Sequence, residues 1–270
     1  MTFWWKKNPK TPSDYVKLLL EQLSKINSAS TLDNKKKLQE ECFNYLIAIK
    51  MYIMGEADPK PTPELIDDMY KEMHHLDLFY ETLHHFSDLE FEARKEVVLI
   101  FSICLNYSKD NKFVTVDYLV SKPRTLTYML RLMETTLQKR TSPQDVFLLV
   151  GNMIIECIKY EQLNRVILKD TQLWRFFQFA TINNFEISTQ SLQILNSALT
   201  EHPKLVSREF FSNETNITQF IQNINKLVAH GSYVTKRQSI KLLASLILRR
   251  VNNQLMQSYI NSPDNLKLIM

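Results

Sequence analysis

The stretch SPQDVFLLVGNMIIECIKYEQLNRVILKDTQLWRFFQF, residues 142–179, decides the fold. Ser142-Pro143 writes a helix start. The hydroxyl accepts a free backbone N–H, and proline takes the first helical position, where its missing N–H has no partner to lose. Asp145, three residues after the cap, sets a carboxylate beside the positive helix end. Phe147 to Ile158 then reads as a long apolar helix, Val166-Ile167-Leu168 as a short one, and Leu173 to Phe179 as a third.

The same order recurs on both sides. Val97 to Phe101 leads to Tyr118-Leu119-Val120, then to Pro123 and Leu126 to Met133. Leu192 to Leu199 leads to Glu209-Phe210-Phe211, then to Ile217 to Leu227. Ile240 to Leu248 leads to Ser258-Tyr259-Ile260, then to Pro263 and Leu266. The short-helix markers Leu119, Ile167, Phe210 and Tyr259 are spaced by 48, 43 and 49 residues. A period of that size belongs to armadillo and HEAT-type arrays. The expectation is one all-α, armadillo/HEAT-like helical-repeat solenoid over residues 1–270, right-handed and without a β-sheet. N-terminal helices fill 11–86, and units follow at about 87–140, 141–182, 183–230 and 231–270. The last unit is incomplete. An open array needs a polar end cap, so the natural protein is expected to continue past Met270.

Further helix starts have the same form at Thr11-Pro12, Thr62-Pro63 and Ser262-Pro263, and Asp14 repeats the acid of Asp145. Val16, Leu19, Leu20, Leu23 and Ile26 lay an apolar stripe along the first helix. The second runs from about Leu32 to Met54, with Phe43, Leu46, Ile47 and Met54 expected inward. Asp58-Pro59-Lys60-Pro61-Thr62-Pro63 is a turn.

Composition narrows the function. Hydrophobic residues make up 44% of the chain, enough for a continuous core. Only three glycines occur, Gly55, Gly151 and Gly231, which disfavours nucleotide folds with clustered glycine and turn-rich β-sandwiches. The formal charge of +4 is a mild excess, less than a dedicated nucleic-acid binder concentrates. Apolar runs such as Val97 to Leu105 are too short to span a bilayer, so no stable membrane insertion is expected. Phe3-Trp4-Trp5-Lys6-Lys7 reads either as a cap on the first helices or as a membrane-interface motif. Cys42, Cys104 and Cys157 sit in apolar helical patterns and read as reduced, buried thiols.

Searching for chemistry yields little. His74-His75 and His84-His85 invite a metal reading. Residues eleven apart share a helix face but stand about 16 Å from each other, so one zinc cannot bridge them. Glu90, Glu92 and Glu96 read as a solvated helix start. No glycine elbow, phosphate loop, zincin or EF-hand pattern occurs. The expectation is a protein with no catalytic residues, no metal and no cofactor. Lys35-Lys36-Lys37 reads as a solvated helix face or as a contact for nucleic acid or acidic lipid. Trp174, Phe176, Phe177 and Phe179 read as core or as an exposed groove.

Tyr233-Val234-Thr235-Lys236-Arg237-Gln238-Ser239-Ile240-Lys241-Leu242-Leu243 is a long, unusual run. With Ser262 to Met270, Asn184-Phe185-Glu186-Ile187 and Lys10-Thr11-Pro12-Ser13-Asp14, it resembles the Mouse-protein-twenty-five scaffold family, also called calcium-binding protein thirty-nine, and most of all its fungal members. The resemblance spans the chain in order. It implies a horseshoe of helical repeats that binds germinal-centre, sterile-twenty-type kinases and pseudokinases and holds them active without catalysis. In fungi it implies a morphogenesis and cell-separation network with a nuclear-Dbf2-related kinase complex, in the cytoplasm and at growth or division sites. It further implies a pocket for a partner's C-terminal Trp-Glu-Phe, with Phe185 and Arg237 in the matching positions, and a kinase-binding surface with Lys241, Arg250 and Met270. The family has phenylalanine three residues after that arginine, where this chain has Asn253. Read from the residues alone, Ile240, Leu243 and Ile247 form a buried stripe with Arg237 and Lys241 on its flank, and that flank is equally an ordinary basic edge. The competing reading from another class is a nucleic-acid-binding helical repeat, although no base-reading pattern of one position per repeat is present.

Overall fold

The structure, a computed structural model, describes residues 11–139 and 143–269. Its helices are α1 (Pro12–Ile26), α2 (Leu32–Ile53), α3 (Pro63–His75), α4 (Leu78–His84), α5 (Phe91–Asn106), α6 (Val114–Ser121), α7 (Arg124–Gln138) and α8 (Gln144–Ile158). They continue as α9 (Glu161–Lys169), α10 (Arg175–Phe179), α11 (Phe185–Thr200), α12 (Pro203–Leu205), α13 (Glu214–His230), α14 (Tyr233–Ile247), α15 (Asn253–Ile260) and α16 (Pro263–Ile269). The fold class is all-α and armadillo/HEAT-like. Long helices α5, α8, α11 and α14 are each followed by a short helix and then a third. The short-helix markers Leu119, Ile167, Phe210 and Tyr259 are all buried. Phe210 ends a π-helical turn, Val206–Phe210, that prolongs α12.

One feature departs from the strand-free expectation. Strands β1 (Ser108–Lys109) and β2 (Lys112–Phe113) pair antiparallel. Asp110 and Asn111 link them at φ 50 and 60. Asp and Asn tolerate this left-handed region better than other side-chain-bearing residues, and two such residues fit a tight hairpin turn.

The described residues group into two compact units, 11–128 with 143–149, and 129–139 with 150–269. In the first, α1 packs on α2, α3 and α4, and α2 packs on α5. Its N-caps follow the expected chemistry. The Thr11 backbone N–H donates to Asp14 at 2.9 Å, and Thr62 Oγ1 accepts from Leu65 at 3.4 Å. Ser142 lies outside the described residues.

Charge and rings close this first unit. Arg94 is only 6% exposed and donates to Asp145 at 2.8 Å and to the Leu89 carbonyl. Lys50 pairs with Glu96 at 2.7 Å, so Glu96 is a packing partner and not part of a merely solvated helix start. Asp77, in the left-handed region between α3 and α4, takes bonds from Tyr118, Lys122 and Arg124. Burial opposes its ionisation, but Tyr118 and Lys122 donating to it, with the Arg124 charge, hold the carboxyl below the usual range. Tyr107 stacks on Tyr70 at 4.1 Å and His74 on Tyr118 at 4.5 Å. Burial, with the Lys122 charge nearby, pushes His74 down to about 4. His84 stacks on Tyr128 at 4.1 Å. One histidine of each pair, His74 and His84, is thus taken up in a separate ring stack. Among the described residues no group of three His, Cys, Asp or Glu is placed to hold a metal ion.

The second unit uses another device. His202 Nε2 donates to the Ile158 carbonyl at 2.7 Å, and Arg249 donates to the Thr200 carbonyl at 2.7 Å. Each sits two residues past the end of one long helix and closes the last turn of the long helix before it. Such carbonyls have no partner within their own helix. Buried Asn164 donates to Ala198 O at 3.0 Å, and Arg165 to Glu209 at 2.9 Å. Phe176, Phe177 and Phe179 are buried, and Trp174 stacks on Phe177 and Phe210, so this aromatic cluster is core and not an exposed groove.

Two apolar stripes are rotated from expectation. In α2 the buried face is Gln39, Cys42, Tyr45, Leu46, Ile49 and Ile53, while Met54 is 48% exposed. In α14 the buried face is Thr235, Ser239, Leu242, Leu243 and Leu246, and Ile240 is 38% exposed. Small polar residues replace aliphatics where α14 comes close to its neighbours, which is why hydrophobicity alone misplaced that face. Cys42, Cys104 and Cys157 are free and buried. Burial pushes all three thiols up, Cys42 to about 12, so none is a ready nucleophile. Among the described residues no helix is long and apolar enough to cross a membrane.

Candidate functional site

Two helix starts build the site. Asn184 caps α11 by accepting from the Ile187 N–H at 3.1 Å, which leaves Phe185 as the first helical residue. Ser232 caps α14 by accepting from Thr235 at 3.2 Å. The buried Thr235 hydroxyl lies 2.9 Å from Ser232 Oγ and reaches the Ala180 carbonyl at 3.3 Å. That bond ties the first turn of α14 to the turn leading into α11, and the two helices pack together. Gly231 allows the approach: a Cβ there would lie 2.5 Å from Leu227 O and 2.7 Å from Thr235 Cγ2.

The arrangement leaves large apolar groups in solvent. Phe185 is 69% exposed and Tyr233 is 80% exposed, with Ile182 and Val234 also open. Arg237 and Lys241 follow Tyr233 at successive four-residue steps, so all three share the outward face of α14. The structure therefore brings Arg237 and Lys241 onto one exposed helix face. Arg250 lies past the other end of α14, exposed, in the 3-10 turn Arg250–Asn252. Met270 lies outside the described residues, as do Phe3-Trp4-Trp5-Lys6-Lys7 and Lys10. Asn253 is exposed and opens α15.

The electrostatics are one-sided. From Thr215 to Pro263 the chain has no Asp or Glu, while it carries Lys226, Lys236, Arg237, Lys241, Arg249 and Arg250. Arg249 is engaged by the Thr200 carbonyl. Arg237, Lys241 and Arg250 enter none of the ion pairs of the second unit's described residues. Cations without local carboxylates favour an acidic partner, and exposed aromatic and aliphatic groups beside them favour one with apolar anchors. Sequence reading missed Tyr233, Val234, Ile182, Leu248 and Val251 as surface groups. The signal was available for Tyr233 and Leu248, which fall in phase with Arg237 and Lys241.

The sequence matches the Mo25-like family over residues 3–270. It is 70% identical to Protein HYM1 of Saccharomyces cerevisiae, over the whole chain and 68% of that protein. It is 30% identical to a Mo25-like protein of Schizosaccharomyces pombe, over the whole chain and 78% of that protein. It is 27% identical to the conidiophore development protein hymA of Emericella nidulans, again over the whole chain and 74% of that protein.

Proposed function

The chain belongs to the Mo25-like family, and from that premise we propose that it is a non-catalytic scaffold that binds and activates germinal-centre, sterile-twenty-type kinases in fungal morphogenesis and cell-separation signalling. The observation that carries this reading is the exposed cationic face of α14, with Phe185 exposed at the first position of α11, the helix that packs on it. Phe185 with Arg237 forms the seat for a partner's C-terminal Trp-Glu-Phe: the aromatic ring packs the apolar side chains, and the guanidinium pairs with the acid or the terminal carboxylate. Lys241, Arg250 and Met270 form the kinase-binding surface. The partner set includes a nuclear-Dbf2-related kinase complex, and the place of action is the cytoplasm at growth or division sites. The chain is one repeat domain with units at about 87–140, 141–182, 183–230 and 231–270 after the N-terminal helices.

The physical logic is differential binding. A scaffold activates a kinase when its contacts favour the active conformation over the inactive one. The test is a pull-down with the full chain, followed by a kinase assay with and without it. A retained germinal-centre kinase whose activity rises on addition, and rises less with Lys241→Ala, supports the reading. Retention of no kinase, or equal activity with and without the chain, overturns it.

A further inference from the structure

The π-helical turn Val206–Phe210 is closed by the Phe211 N–H on the Val206 carbonyl at 2.9 Å. Such turns are rare and recur at functional positions. Val206 and Phe210 are its buried residues, and Phe210 stacks on Trp174 at 5.4 Å. Ser207 and Glu209 stand two positions apart, on opposite sides of the turn. Each bonds to a group 44 residues away, in opposite directions along the chain. Ser207 Oγ donates forward to the Val251 carbonyl. Glu209 accepts backward from Arg165 at 2.9 Å, with Lys169 at 3.4 Å. One short turn is thus held by the unit before it and in turn holds the unit after it.

What it holds is the 3-10 turn Arg250–Asn252. Arg249 fastens the entry to that turn on the Thr200 carbonyl at 2.7 Å, and Asn252, 2% exposed, fastens its end on the Leu246 carbonyl at 3.0 Å. The Ser207 bond reaches the residue between them, next to Arg250. The Arg250 side chain is exposed, so its direction is set by the backbone that carries it. We propose that Ser207 is a positioning residue for kinase binding: by fixing the Val251 carbonyl it sets the pose of Arg250, and through the π-helical turn it ties that pose to the ion cluster of Glu209. This deepens the kinase-binding reading above and rests on it. Pairing a long, exposed cation costs conformational freedom, and a backbone fixed before the partner arrives lowers that cost. The Ser207 hydroxyl acts through Arg250 and not on the partner itself.

The experiment compares Ser207→Ala, Ser207→Thr, Glu209→Gln, Arg250→Ala and the double variant Ser207→Ala with Arg250→Ala, all in the full chain. Each is titrated into the germinal-centre kinase retained in the pull-down and, separately, against a peptide ending in Trp-Glu-Phe, with thermal melts alongside. Ser207→Ala is expected to raise the chain concentration for half-maximal kinase stimulation by about threefold to tenfold, the scale of one hydrogen bond, with the plateau unchanged. Ser207→Thr, which keeps the hydroxyl, restores the parent value, and Glu209→Gln shifts it in the same direction as Ser207→Ala but by less. Tail-peptide affinity and melts stay at the parent values. The double variant is no weaker than Arg250→Ala alone, because a positioning residue has nothing to act on once Arg250 is gone. Stimulation at the parent level in Ser207→Ala, while Arg250→Ala weakens it, overturns the positioning role and leaves the scaffold reading standing. Additive losses in the double variant, early melting of Ser207→Ala, or an equal loss of tail-peptide binding also overturn it, since Ser207 then acts elsewhere or is structural. If Arg250→Ala stimulates the kinase like the parent, the kinase-surface reading falls and takes the positioning role with it.

Discussion

The unit formed by 11–128 and 143–149 spends its charges on itself, whereas the last helices of the other unit leave theirs in solvent. In the first, Arg94 meets Asp145, Lys50 meets Glu96, Lys109 meets Asp67, and Lys122 and Arg124 meet Asp77. In the second, the stretch from Thr215 to Pro263 has cations and no acids, and its helix ends are tied through backbone carbonyls such as Thr200. The same helical packing thus serves two purposes. Where carboxylates accompany cations, charge fixes helix register. Where acids are absent, register is fixed by carbonyl caps and the cations remain for a partner.

If this contrast holds, removing a cation from the first unit damages folding and removing one from α14 damages binding. The largest effect is expected at Arg94. Arg94→Ala leaves Asp145 half-buried without its partner, and breaking a buried pair costs about 3–5 kcal/mol. Urea denaturation of parent and variant measures it. A loss below about 1 kcal/mol, the scale of surface pairs, would show that charge does not hold this seam.

Next is acid sensitivity. His74 is held at about 4, against about 6.5 in an unfolded chain, because its ring is buried among Tyr70, Tyr118 and Thr115 with Lys122 nearby. The folded value lies below the unfolded one, so the unfolded chain takes the proton first. The stabilisation from neutral His74 is therefore full above about pH 6.5 and is lost as pH falls toward 4, by an amount on the order of 2–3 kcal/mol. Asp77 faces the same cluster, and its depressed carboxyl contributes in the same direction at lower pH. Melts from pH 7.5 to pH 4.5 are expected to shift down in the parent. His74→Phe, which keeps a ring on Tyr118, is expected to flatten that part of the profile. An unchanged slope in the variant rules out His74 as its source.

On the binding side, Arg237→Ala is expected to weaken capture of a Trp-Glu-Phe peptide, and Lys241→Ala to weaken kinase stimulation. Each is expected to cost about 2 kcal/mol, well over a tenfold change in affinity. Their melts are expected to stay within about 0.5 kcal/mol of the parent, because both side chains are exposed. Early melting without loss of binding would erase the contrast between the units.

The smallest expected effect sharpens the contrast from inside the second unit. Arg249→Met keeps the aliphatic stem but removes the donor to Thr200 O. A cation at a helix C-terminus contributes about 0.3–1 kcal/mol, so a loss of that size is expected in denaturation. A loss comparable to Arg94→Ala would mean that carbonyl caps and buried ion pairs hold the two units equally.

The helices were legible because their signals are local. Thr62-Pro63 carries its own cap, and apolar residues recur with the helical period in α1 and α13. The aromatic run from Trp174 to Phe179 was ambiguous until Phe210 and Phe220 were seen to pack on it. Arg237 and Lys241 were legible as an exposed pair from their four-residue spacing. The face they share was less so, since Ile240 was expected inward and is exposed.

By itself the sequence determined the order of long and short helices in the repeat units and the resemblance that named a family. These depend on periodicity, capping and residue identity, which act within a few residues of each other. Tertiary structure alone decided which side of each helix is buried, which cations are neutralised and which stay open. Those outcomes depend on neighbours forty or fifty residues away: Asp145 for Arg94, Asp77 for Arg124, Thr200 for Arg249, Ala180 for Thr235. A helix carries its period along the chain, but the phase of its buried face is set by the surface it packs against.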